Sequence, residues 1–166
     1  GKMSENRKMT ARDTALEVLM QVERANAWSD GSLKRTIAKN GLEGREAALA
    51  TRLAYGVIQN RTLLDYYISC YCVQKAHKLE PVIRNILRCA VYQIKYMDQV
   101  PDSAACNEAV NLAIRKGFKN LRGFVNGVLR NIARNIDKIA YPENTEEFLS
   151  IKYSMPQWII RMWVRE

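Results

Sequence analysis

The sequence specifies an all-α bundle. Apolar residues recur at three- and four-residue spacing from Ala15 to Ile136, the period of a buried helical face. No sustained alternation of apolar and polar residues, the mark of a half-buried strand, interrupts it. Between the periodic runs stand Gly, Pro and Ser/Thr/Asp positions that start and stop helices. At 166 residues the chain has the size of about one domain. Its 48% apolar and 26% charged residues are ordinary for a globular unit with one core.

The elements follow in order. Thr10 and Asp13 resemble a capping box with a short acid in place of Glu, and Ala15, Leu16, Leu19 and Val22 form one face behind it. Asp30-Gly31-Ser32 breaks the chain and caps a short second helix carrying Leu33 and Ile37. Gly41 and Gly44 bracket the next start, and Leu49, Leu53, Ala54, Val57 and Ile58 make a third helix. The pattern resets around Asn60, and Leu63, Leu64, Tyr67 and Ile68 make a fourth. Pro81 suits the first turn of a fifth, where its missing N–H removes nothing. Ile83, Ile86, Leu87, Ala90, Val91 and Ile94 give that helix a face wide enough for the centre of a bundle. Pro101-Asp102-Ser103 starts a sixth helix and Gly117 ends it. Phe124, Val125, Val128, Leu129, Ile132 and Ile136 belong to a seventh. Two shorter helices are expected after Pro142, one around Phe148 and Ile151 and one from Pro156.

Several function classes drop out. The longest run free of charged and amide side chains, Tyr66 to Val73, is far shorter than the ~18 apolar residues of a membrane span. The polar, basic start shows no signal peptide. Four cysteines do not make a disulfide framework, so reduced thiols and a cytoplasmic location are expected. One histidine, His77, in a polar connector, and no C-x-x-C argue against zinc. Cys89 and Cys106 sit in apolar helical patterns, as small core residues do. No phosphate-cradling Gly loop is present, and Gly41-Leu-Glu-Gly44 carries an acid that repels phosphate. No catalytic residue and no metal ligand is assigned.

Charge is the unusual quantity. The 26 Lys and Arg against 17 Asp and Glu give +9, and the bases cluster. Lys2, Arg7, Lys8 and Arg12 lie at the start, Lys75, Lys78, Arg84, Arg88 and Lys95 in the middle, and seven bases between Ala113 and Lys138. Such clusters bind nucleic acid by displacing condensed counterions, or else form a solvated face that keeps helices soluble. Phe124, among the bases, is either a stacking platform or a core residue. Gly127, after Asn126, costs roughly 1 kcal/mol inside a helix, which a close helix approach or backbone bared for a ligand would justify.

The stretch Val100-Pro-Asp-Ser-Ala-Ala-Cys-Asn-Glu-Ala-Val-Asn-Leu-Ala, followed by Arg122-Gly-Phe-Val-Asn-Gly-Val-Leu-Arg-Asn-Ile, resembles the NusB family of antitermination factors. Thr10-Ala-Arg-Asp-Thr-Ala-Leu-Glu-Val-Leu resembles that family's first helix with its basic RNA-binding start. Tyr153-Ser-Met-Pro-Gln-Trp-Ile-Ile-Arg-Met-Trp is similar to the segment that follows a NusB-like domain in ribosomal RNA small subunit methyltransferases of the B type, with Met155 where His is common. The resemblance implies a NusB-like bundle of two helical subdomains on about seven core helices. It implies RNA-binding roles for Arg7, Lys8 and Arg12, and for Phe124 and Asn126. Lys116, Lys119 and Arg122 join them on charge alone.

The expected organisation is a flexible basic stretch over residues 1–9, an RNA-binding NusB-like domain over 10–139, and a linker and helix over 140–166 leading toward an absent catalytic domain. The resemblance implies that this domain would transfer a methyl group from S-adenosylmethionine to carbon five of a cytosine in 16S ribosomal RNA. None of the four cysteines follows Pro as that chemistry requires, and no cofactor loop is present, so neither the catalytic residues nor the cofactor is expected within the chain itself. The expected partners are ribosomal RNA and the chain's own catalytic domain. The alternative is a free-standing antitermination factor that binds RNA and a small ribosomal protein, and a third is a scaffold whose helices dock the catalytic half. No membrane partner is expected. A helix-turn-helix DNA reader is disfavoured, because no helix pair carries a base-reading polar face beside a short Gly turn.

Overall fold

The computed structural model describes residues 8–74 and 76–139. Seven α-helices run through them: α1 Ala11–Ala25, α2 Asp30–Lys39, α3 Gly44–Gln59, α4 Arg61–Ser69, α5 Pro81–Tyr96, α6 Asp102–Arg115 and α7 Arg122–Asn135. Short 3₁₀ turns at Ala76–Lys78, Lys119–Leu121 and Ile136–Lys138 join or end them. No strand occurs among the described residues. The helices expected after Pro142, and the acidic group Glu143, Glu146 and Glu147, lie outside those residues.

The local signals account for most boundaries. Thr10 caps α1 as a full capping box: its hydroxyl accepts from the Asp13 N–H at 3.2 Å, and Asp13 Oδ2 accepts from the Thr10 N–H at 2.9 Å. Pro81 occupies the first turn of α5. Gly117 ends α6 at φ +90, a left-handed conformation that side chains resist. One boundary differs from the sequence reading. The cap of α2 is Ser29, whose hydroxyl accepts from the Ser32 N–H at 3.1 Å, and Asp30 already lies in the first turn. Asp30 instead accepts a 2.9 Å hydrogen bond from the buried Trp28 indole and another from the Tyr55 hydroxyl.

The helix α5 is the axis of the molecule. It packs against α1, α3, α4, α6 and α7, and Ile83, Ile86, Leu87, Ala90 and Val91 are 1% exposed or less. The first four helices form one half, α6 and α7 the other, and the main apolar core runs without interruption from Ala15 to Ile136 through both. A smaller cluster of Ala11, Leu42 and Ala50 seals the start of α1. Cys89 and Cys106 are buried, and burial pushes the Cys89 thiol up to about 12, as suits an unreactive core residue.

Polar groups inside this core are satisfied and join distant helices. Gln93, 2% exposed, donates to the Cys89 carbonyl at 2.9 Å and accepts from Arg12. Arg88, 5% exposed, reaches both Asp65 oxygens at 2.7 Å and Glu23 at 3.2 Å. Arg84 holds Glu23 at 2.9 Å, and Asn85 donates to Glu23 at 3.1 Å. Asp13, fully buried, pairs with Arg115 at 3.2 Å, fastening the start of α1 to the end of α6.

Two outcomes are expected. Gly56 on α3 lies beneath the Tyr92 ring of α5, and a Cβ there would sit 2.2 Å from Cζ. Gly56→Ala should cost about 1–3 kcal/mol in urea unfolding, and Tyr92→Leu in the same chain should recover part of that loss. Unchanged stability in Gly56→Ala would show that the two helices do not approach this closely. The second concerns acid. Burial alone would raise the Glu23 pKa, but Arg84, Asn85 and Arg88 outweigh it and hold it below its ordinary 4.5. A carboxylate depressed on folding contributes stability that is present above its unfolded pKa and lost as pH falls through the folded one. The urea midpoint should therefore hold from neutrality to roughly pH 5 and fall below it, with a shallower fall in Glu23→Gln. Equal acid slopes in the two proteins would show that Glu23 does not carry this dependence.

Candidate nucleic-acid interface

The groove between α6 and α7 grows out of two helix faces. On α7, Val125, Val128, Leu129 and Ile132 turn inward, so Arg122, Gly123, Asn126, Gly127 and Arg130 fall on the opposite side. On α6, Ala105, Cys106, Ala109, Leu112 and Ala113 are buried, which leaves Asn107 and Asn111, one turn apart, facing out. Where the two polar faces meet, Asn107, Val110, Asn111, Arg122, Gly123 and Asn126 line an open groove of about 430 Å³.

Arginine in this groove bonds to neutral acceptors. Arg130 donates to Asn126 Oδ1 at 3.1 Å and to Asn107 Oδ1 at 3.0 Å. Arg122 donates to the Lys119 carbonyl at 2.8 Å, and Arg134, further along α7, to Asn131 Oδ1 at 2.7 Å. An amide or carbonyl orients a guanidinium without cancelling its charge, so these bonds hold full positive charges in place at the surface. The exposed Lys116 and Lys119 add to them. Positive charge along a concave wall concentrates the potential felt by a polyanion.

The backbone of α7 is bare. A Cβ at Gly123 or at Gly127 would meet nothing within 4 Å. Of the two explanations for Gly127, close helix approach therefore fails, and an exposed backbone stands. The close helix contact of the fold is at Gly56.

The sequence-derived site residues fall into separate places. Arg7 lies outside the described residues. Lys8 is exposed just ahead of α1. Arg12 is half-buried and gives Nε and one terminal nitrogen to Gln93 Oε1 at 3.0 and 2.8 Å, so its guanidinium helps bind α1 to α5. Phe124 is half-buried and packs against the main core. Arg122 and Asn126 share the α6–α7 groove. Lys116 borders a second groove, of about 360 Å³, with Met9, Glu17, Met20 and Lys39. There Glu17 is paired with Lys39. Burial would raise the Glu17 pKa, but the hydrogen bonds and charge of Lys39, the Asn40 hydrogen bond and the Lys116 charge hold it low. Through Asp13 and Arg115 the fold brings the basic start of α1 beside the end of α6, joining clusters about a hundred residues apart.

Sequence reasoning did not single out Asn107, Asn111, Gly123 or Arg130 as site residues. The signal was there in spacing: Asn107 and Asn111 are i and i+4, and Gly123, Asn126, Gly127 and Arg130 mark one helical stripe. No group of His, Cys, Asp and Glu suited to a metal ion occurs among the described residues. No helix among them is long and apolar enough to cross a membrane.

The chain is similar to two kinds of protein. It is 37% identical over 158 residues to a probable ribosomal RNA small subunit methyltransferase B of Bacillus subtilis, a match covering 95% of the chain and 35% of that protein. A counterpart from Synechocystis is 32% identical over 156 residues, again 35% of its length. The chain thus spans about a third of these relatives. It is also 36% identical over 133 residues to the transcription antitermination protein NusB of Bacillus velezensis, covering 79% of the chain and 98% of that protein. Among solved structures, that of PH0851 superposes with a TM-score of 0.65 over 93% of the chain and 36% of the other at 20% identity, a likeness of fold. Residues 9–134, which include α1 through nearly all of α7, match the NusB family, and the chain belongs to it.

Proposed function

We propose that this chain is an RNA-binding unit of an S-adenosylmethionine-dependent 16S ribosomal RNA cytosine-5 methyltransferase and holds substrate RNA while methyl transfer proceeds on a catalytic domain. The observation that carries RNA binding is the α6–α7 groove, where arginines are oriented by amides and carbonyls and meet no carboxylate among the described residues. Phosphate contacts of this kind position an RNA strand, and the exposed amides of Asn107, Asn111 and Asn126 offer both donors and acceptors to base edges or 2′-hydroxyls. Lys8, Lys116 and Lys119 extend the basic surface, and Arg7 and Arg12 belong to the same reading through the family's basic start. Phe124 enters it as a support for the groove wall rather than a free stacking platform, since it packs on the core.

The choice of parent protein is supported by the extent of the match, which runs over 158 residues with the methyltransferase and 133 with the antitermination protein. The α6–α7 groove is lined by no carboxylate, and the one carboxylate of the second groove, Glu17, is already paired with Lys39, so neither offers a free anion to a sulfonium cation. S-adenosylmethionine does not fit them, and no catalytic step is assigned to these residues. The second reading, a free-standing antitermination factor binding RNA and a small ribosomal protein, is supported by the 98% coverage of the Bacillus velezensis protein.

Binding of 16S ribosomal RNA fragments should weaken with salt. Arg122→Gln and Arg130→Gln should each flatten log affinity against log salt by about 0.7–0.9. Lys34→Gln, on the exposed face of α2, should leave it unchanged. Equal slopes in all of these proteins would overturn the groove assignment. Disrupting the gene should remove 5-methylcytosine from 16S ribosomal RNA, as read by mass spectrometry of its fragments. Intact methylation with reduced read-through of ribosomal RNA operons would establish the antitermination reading instead.

A further inference from the structure

A second concentration of positive charge is formed by residues separate from those of the α6–α7 groove. The C-terminal turn of α1, the start of α4, the first half of α5 and the Ala76–Lys78 turn enclose an open cavity of about 380 Å³. Its charged and titratable lining is Glu23, Arg61, Asp65, His77, Arg84 and Arg88. At about 30 Å³ per liquid water the space equals roughly a dozen waters, ample for a small oxyanion with part of its hydration.

The bonds inside this cluster leave one cation over. Arg88 engages both oxygens of Asp65 as a fork, at 2.7 Å each, and reaches Glu23 with its remaining terminal nitrogen at 3.2 Å. Arg84 holds both oxygens of Glu23, at 3.0 and 2.9 Å, and Asn85 donates to the same carboxylate. Two carboxylates thus serve Arg84 and Arg88, and the ion pairs of the cluster do not include Arg61. Arg61 is half-buried beside them. Burial, first, and the Arg88 charge lower its pKa, Asp65 and Glu23 oppose that shift, and Arg84 adds to it. An arginine keeps its proton under such pressure, so the cavity retains a surplus positive charge whose guanidinium fork is uncommitted.

We propose that this cavity binds a phosphate group, with Arg61 as its principal donor and His77, on the facing turn, as a second. A guanidinium fork matches two phosphate oxygens at once, and the charge-assisted bonds are about twice as strong as neutral ones. Arg84 and Arg88, locked by their carboxylates, hold Glu23 and Asp65 away from Arg61 and so leave its charge to the ligand. Donors on two separate elements suit a tetrahedral oxyanion better than a planar carboxylate. The proposal does not rest on the RNA reading of the α6–α7 groove, and each can fail alone.

The test is thermal unfolding of the whole chain titrated with inorganic phosphate, with sodium chloride and sodium acetate at matched ionic strength as comparisons. Phosphate should raise Tm in a saturable manner and the other two salts should not. Arg61→Gln should lose the phosphate-dependent rise while Lys34→Gln, on the exposed face of α2, keeps it. If Arg61→Gln does not fold, Arg61→Lys, a point charge in place of the fork, should weaken the phosphate midpoint about tenfold. Equal rises in chloride or acetate, or an unaltered rise in the Arg61 variants, would overturn the proposal. Binding of a short single-stranded RNA then separates the sources. A loss of affinity in Arg61→Gln, with inorganic phosphate competing, assigns the site to an RNA backbone phosphate. Unchanged RNA affinity with the Tm response lost assigns it to free phosphate.

Discussion

A helix that is apolar around most of its circumference cannot rest on one neighbour, and α5 is such a helix. Ile83, Ile86, Leu87, Ala90, Val91 and Ile94 all need cover, and removing that surface from water is the dominant favourable contribution to folding. Cover comes from α1, α3 and α4 on one side and from α6 and α7 on the other. The polar face of α7 points outward because its apolar face is held against α5 and α6. The three polar side chains that α5 buries, Asn85, Arg88 and Gln93, each end on a partner from another helix or on the helix's own backbone. An unpaired group at any of them would cost more than the bond contributes.

Arginine is used in two opposite ways on this scaffold. Toward the core, Arg84 and Arg88 meet Glu23 and Asp65, and their charge is spent on joining α1, α4 and α5. Along α7, Arg122, Arg130 and Arg134 meet carbonyls and amides, and their charge is kept. The first use fixes geometry. The second leaves an oriented field at the surface, which matters only for something that arrives from outside. Asn107, Asn126 and Asn131 are the acceptors that make the second use possible, since carboxylates at those positions would neutralise the guanidinium groups they orient.

Local chemistry was legible in the sequence and long-range pairing was not. The Thr10–Asp13 box, the reset at Asn60, Pro81 and Gly117 act over a few residues, and each marks a boundary in the fold. The face of α5 followed from periodicity alone. Ser29 is hidden as a cap by Asp30-Gly31-Ser32, a louder signal that begins at the very next residue. Arg12 reads as a free base beside other bases, and its bond to Gln93 spans 81 residues. Gly56 carried no mark of its role because the Tyr92 ring that excludes a side chain there belongs to another helix. Within the groove, the bases were visible as a cluster, whereas the asparagines that orient them needed the crossing of α6 and α7 to become neighbours.

The ion pair between Asp13 and Arg115 joins residues 102 positions apart, one at the front of the first helix and one at the back of the sixth. Asp13 is fully buried, and Arg115 supplies a cation to its carboxylate, which also accepts the Thr10 N–H of the capping box. The pair closes only when α1 and α6 are both in place, so it joins the two halves of the bundle rather than either half to itself. Loss of this one pair would therefore be felt at both ends at once, at the head of α1 and at the tail of α6.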